Sequence, residues 1–63
     1  MITKGSILQS LYTPHCLAIA VTDQYVDKFS GASRHWVFDI MFLNGDYAGT
    51  KMAVLTINWF PIA

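Results

Sequence analysis

Sixty-three residues suffice for one small domain and no more. Apolar residues make up 54% of the chain and charged residues 13%, against about 45–50% and about 25% in ordinary globular domains. Four Lys/Arg balance four Asp, and this zero net charge gives no electrostatic steering toward nucleic acid or an anionic membrane.

A domain of this size hides about 60% of its unfolded surface and is stable by only a few kcal/mol unless something staples it. Cys16 is the single cysteine, so no internal disulfide can form. A metal lacks its usual ligand spacings: there is no C-x₂-C, H-x₃-H or H-E-x-x-H. A partner subunit is the staple that remains. The 34 apolar residues exceed the roughly 15 that so small a barrel can surround with neighbours.

Isoleucine, valine and threonine number 15 and aromatics 9, while glutamate is absent; this is strand-forming composition. Residues 6–12, SILQSLY, read as a first strand after the Lys4-Gly5 turn. Thr13-Pro14-His15 interrupts it, because proline removes a ladder donor and restrains its predecessor. Residues 16–22, CLAIAVT, form a second strand with large Leu17, Ile19 and Val21 on one face and small Cys16, Ala18 and Ala20 on the other. Residues 23–34, DQYVDKFSGASR, read as a long irregular loop with one short helical turn. Thr22 or Asp23 would cap that turn, Tyr25, Val26 and Phe29 would pack inward, and Gly31 would end it.

Residues 35–43 are a third strand, with Trp36, Phe38, Ile40 and Phe42 on one side and His35, Val37, Asp39, Met41 and Leu43 on the other. Asn44-Gly45 is the strongest hairpin signal, extendable through Asp46, Tyr47 and Gly49 into a longer loop. Residues 51–58, KMAVLTIN, make a fourth strand. Trp59 to Ala63 supplies at most a short fifth one, limited by Pro61 to a turn or an edge. The expected fold is all-β: a single domain over residues 1–63, a small antiparallel barrel of four to five strands.

The runs KGSILQ, CLAIAV, HWVFDIMFLNGD and LTINWF resemble the small SH3-like β-barrel proteins of bacteriophage genomes, and the whole chain is similar to small proteins of tailed phages that infect marine bacteria. The resemblance implies an SH3-like barrel of viral origin, at work in a host cytoplasm. It carries over no catalytic residue. The acidic loop and paired proline-groove tyrosines of eukaryotic SH3 domains are missing, so PxxP recognition is not expected.

Residues 5–22 carry no formal charge and end near Ala18-Ile19-Ala20, as a secretory signal would. Gln9, Ser10, Thr13, Pro14 and His15 break what should be its apolar centre, and equally break a membrane span. The free thiol fits a reducing cytoplasm.

Candidate chemistry is thin. Cys16, His15, His35 and Asp39 are the one set resembling a nucleophilic group. His35 and Asp39 lie four residues apart on one strand, about 13 Å at 3.3 Å per residue, and Cys16 sits among alanines as a buried, inert thiol would. Asp23 and Asp27 bracket Tyr25 without the alternating pattern of a calcium loop. Tyr12, Tyr25, Trp36, Tyr47, Trp59 and Phe60 could stack on bases, but four scattered cations cannot neutralise a phosphate track. No catalytic residue, metal or cofactor is expected.

If the Trp36–Phe42 side fills the core against Leu17, Ile19, Leu55 and Ile57, Asp39 lies outside between Val37 and Met41. Burial by a partner would then give it a donor such as Lys51, Arg34 or a backbone N–H. The expected interface comprises Val37, Asp39, Met41 and Leu43, with Tyr47, Trp59 and Phe60 at the rim. The expected function is non-enzymatic: self-association into a homo-oligomer, or docking onto a larger host or virion protein. The alternative is a small-ligand or nucleotide-binding module with its pocket between residues 23–34 and the aromatic rim.

Overall fold

The computed structural model describes residues 2–29 and 33–63. Its strands are β1 (Ile7–Ser10), β2 (Leu17–Ala20), β3 (Tyr25–Phe29), β4 (Ser33–Phe42), β5 (Lys51–Leu55) and β6 (Trp59–Pro61), with one 3₁₀ turn at Thr56–Asn58. All pairings are antiparallel. The sheet order is β3-β4-β2-β1-β6, with β5 on β4, and the sheet curls into a half-barrel. The all-β expectation holds. Among the described residues no helix is long and apolar enough to cross a membrane.

The long strand β4 organises the sheet. Ser33–Val37 pair with β3, Ile40–Phe42 pair with β2, and Val37–Met41 pair with β5. One edge of β4 therefore changes partner at Asp39. There the chain is pinned by Val21 N–H to the Asp39 carbonyl at 2.9 Å and Asp39 N–H to Thr22 Oγ1 at 3.0 Å.

The helical turn expected within 23–34 is corrected to strand β3 over Tyr25–Phe29. Tyr25-Val26 is β-branched and aromatic, and the edge of β4 beyond β2 offers it a ladder that one isolated helical turn could not match. Tyr25 and Val26 remain 37% and 46% exposed, so neither packs inward as expected. Gly31, the expected end of the turn, lies outside the described residues.

The concave face carries the core: Ile2, Leu8, Ala18, Ala20, Phe38, Ile40, Phe42 and Trp59, with Cys16 and Val54 packed against it. The expected packing of Leu17 and Ile19 against this face is corrected. Register sets Ala18 beside Phe42 and Ala20 beside Ile40, which turns Leu17 and Ile19 to the convex side. The concave side of a tightly curled sheet has little room, and small residues beside large ones fill it at native density. Leu55 is likewise on the convex side, opposite Val37, and Ile57 is exposed. Among the described residues Ser10 is the buried polar side chain, and its Oγ accepts the Thr13 N–H at 3.2 Å.

Trp36 shares the face of Phe38 yet is 53% exposed. It pairs with Val26 on the part of β4 that lies beyond the pairings with β5 and β2. The molecule measures 33 × 22 × 19 Å along its principal axes.

Phe42 and Lys51 are joined by an eight-residue connection and not by a two-residue hairpin. Gly45 at φ 77° and Gly49 at φ 85° supply the left-handed positions it requires. Ala48 N–H donates to the Gly45 carbonyl at 3.2 Å and Gly49 N–H to the Phe42 carbonyl at 2.8 Å.

Candidate interaction surface

The seven residues expected at an interface fall into different environments. Val37 is fully buried, although it lies outside the concave core. Cross-strand register flanks it with Tyr25 on one side and Leu55 on the other. Trp59 is also buried, where a rim position was expected; its ring stands 6.1 Å from Phe42 at 58°. These two are covered by their own chain and are corrected out of an exposed interface.

Asp39 and Met41 are half-buried on the convex face. Within the chain itself the Tyr25 hydroxyl donates to Asp39 Oδ1 at 2.7 Å. That hydrogen bond, with burial as the second cause, holds the Tyr25 phenol above its ordinary pKa. Leu43, Tyr47 and Phe60 are exposed. Leu43 follows β4, its N–H donating to the Leu17 carbonyl at 2.8 Å. Phe60 stands on β6 opposite Gln9. Tyr47 tilts at 43° against Phe42, centroids 5.9 Å apart, so the rings of Tyr47, Phe42 and Trp59 run from surface to core.

The convex face is largely apolar. Ile7 opposes Ile19, Ile19 opposes Met41, and Met41 opposes Lys51, forming one row across β1, β2, β4 and β5. The next row runs from Val21 through Asp39 to Ala53, and its short side chains leave a shallow groove of about 260 Å³ lined by Val21, Asp39, Lys51, Met52 and Ala53.

A larger cavity of about 390 Å³ lies between the 13–16 turn and the β4–β5 connection, with Phe42 and Tyr47 as its aromatic wall and His15, Cys16, Asn44 and Asp46 among its lining. The pocket that the alternative reading expects between residues 23–34 and the aromatic rim falls partly on residues 30–32, outside the described residues. Asn44 fixes this cavity's mouth: its Oδ1 accepts the Leu17 N–H at 3.0 Å and its Nδ2 donates to the His15 carbonyl at 2.8 Å. Both turns were legible in the sequence. The side-chain clamp between them was not, because it joins positions 27 and 29 residues apart.

The candidate nucleophilic set is dispersed. Cys16 and His15 line the cavity beside Phe42, whereas His35 stands seven positions away on β4 in register with Asp27, about 23 Å along the strand. Asp23 is occupied as a turn acceptor, its Oδ1 taking the Lys4 N–H at 2.7 Å. Among the described residues no three His, Cys, Asp or Glu side chains are grouped to hold a metal ion. Comparison with protein-family models, with curated proteins and with solved structures finds no match to this chain.

Proposed function

We propose that the protein is a non-enzymatic interaction module that works by self-association or by docking onto a larger protein. One observation carries this reading: eleven large apolar side chains are exposed among the described residues of a 63-residue chain, Trp36, Leu43, Tyr47, Met52, Phe60 and Ile62 among them. Apolar exposure on this scale marks surfaces that a partner covers. The resemblance to phage SH3-like barrels supports a viral origin, with a host or virion protein as the larger partner and the host cytoplasm as the setting.

The test is the solution mass by light scattering over a tenfold concentration range, together with binding of an apolar fluorescent dye. An oligomer, or a monomer that binds the dye, agrees with the reading. A monomer that binds none overturns it.

The cavity beside Tyr47 favours a second reading, a small-ligand module, because its volume of about 390 Å³ falls within the range of small-molecule sites. A panel of small aromatic compounds and nucleotides that leaves the melting temperature unmoved would remove it.

A further inference from the structure

The Asn44 side chain works as a peptide group at the end of the β2–β4 ladder. Its Oδ1 accepts the Leu17 N–H and its Nδ2 donates to the His15 carbonyl, beside the Leu43 N–H that donates to the Leu17 carbonyl. The clamp accepts an amide in one sense only, since a donor set against the Leu17 N–H, or an oxygen set against the His15 carbonyl, makes no hydrogen bond. Its two bonds fall on the residues either side of Cys16, which is half-buried and packed against the core.

The residue after Asn44 is Gly45, and glycine puts no side chain in the way of attack by its own nitrogen. Both residues are exposed, and a Cβ built on Gly45 would meet nothing within 4 Å. Among the described residues the Gly45 N–H meets no acceptor. A free backbone nitrogen therefore adjoins an amide carbon whose two polar atoms are both engaged elsewhere.

We infer that Asn44-Gly45 is a self-modification site that the clamp holds shut, and that its reaction unfastens the turn before β2. Hydroxide takes the Gly45 amide proton, and the nitrogen bonds to Cγ of Asn44. The Cγ–Nδ2 bond breaks; Nδ2 takes a proton from water, which restores the hydroxide, and leaves as ammonia. Water then opens the cyclic imide at Cγ to give aspartate, or at the backbone carbonyl to give isoaspartate. Nothing is oxidised or reduced. Ring closure makes Cγ tetrahedral and expels Nδ2, so both clamp bonds must open first, and the folded rate is the intrinsic rate scaled by the open fraction. Either product carries an added negative charge and has lost the donor to His15. Aspartate sets an oxygen against the His15 carbonyl. Isoaspartate lengthens the main chain by one carbon and leaves its carboxylate on Cα, short of Leu17.

The test ages the full chain at mildly alkaline pH, folded and in guanidinium chloride, and reads residue 44 by peptide mass mapping. Conversion to the acid is expected in the denaturant, and at least about tenfold slower in the folded chain, because two hydrogen bonds hold the amide there. Asn58, the other asparagine, precedes bulky Trp59 and is the control expected to lag. Gly45→Ala is compared in guanidinium chloride, where folding plays no part, and is expected to slow conversion at 44. The chain converted in denaturant is then refolded and isolated by its added charge. It is expected to keep the circular dichroism of the sheet and to react at Cys16 with an aromatic disulfide reagent several times faster than the unconverted chain. Conversion at 44 no faster than at Asn58, or unslowed by Gly45→Ala, overturns the inference. So do equal rates in the folded and unfolded chain, and a converted chain that has lost its sheet or labels no faster at Cys16.

Discussion

The Tyr25 hydroxyl donates a 2.7 Å hydrogen bond to Oδ1 of Asp39, fourteen residues away in the chain. Tyr25 stands directly opposite Val37 on the neighbouring strand, and Val37 is fully buried. The diagonal reach from Tyr25 to Asp39 closes this part of the convex face and ties β3 to β4 at the point where β4 exchanges β3 for β2.

That bond gives tyrosine ionisation a sign. The folded Tyr25 pKa is raised, first by the hydrogen bond to Asp39 and then by burial. A group with a raised folded pKa contributes stability that is full below its unfolded value, here 10.0, and is lost as pH rises through the folded value. Absorbance titration of tyrosinate should show one of the three tyrosines ionising late. Tyr25→Phe should abolish that late step and flatten the loss of stability above about pH 10. A late step that persists in Tyr25→Phe would remove this account.

Asn44→Ala should destabilise the fold by about 1–3 kcal/mol, since it takes both partners from the 13–17 segment. Urea denaturation would read the loss. Hydrogen exchange should show Leu17 N–H opening faster, because its acceptor is the Asn44 side chain. Unchanged exchange at Leu17 would mean the clamp is not held in solution.

The two ends of one strand face should respond differently. Phe38 is fully buried and Trp36 is 53% exposed. Phe38→Ala should cost about 3–5 kcal/mol, comparable with the whole stability of so small a domain, and abolish the cooperative thermal transition. Trp36→Phe should shift the melting midpoint little. It should remove the fluorescence that acrylamide quenches readily, while the emission of buried Trp59 stays protected. Equal quenching of the two tryptophans would contradict the placement of the hairpin.

Gly49→Ala should destabilise by about 1–2 kcal/mol. Gly49 lies at φ 85°, which an L side chain rarely adopts, although no atom stands within 4 Å of a Cβ placed there. The cost is therefore conformational and not steric, and Gly49→Asn should recover part of it. Denaturation midpoints of the two variants would check this; equal losses would point to a role for Gly49 other than its backbone angle.

Composition and period alone are enough to show a small antiparallel β-domain with too much apolar surface to hide. Period-two alternation in 16–22 and 35–43, the Thr13-Pro14 break and the glycines after Phe42 are local signals, and local signals survive without knowing what packs above them. Period two placed Trp36, Phe38, Ile40 and Phe42 on one side of 35–43, but that this side holds the core came from the packed structure. Which face of β2 points inward depends on a neighbouring strand, because Ala18 and Ala20 are chosen by the bulk of Phe42 and Ile40 beside them. That 25–29 is a strand depends on one too, since a weak local preference yields to a free ladder on β4. The cover over Val37 depends on Tyr25 and Leu55, 12 residues before it and 18 after it, which the pairing of β3 and β5 on opposite edges of β4 brings to one place.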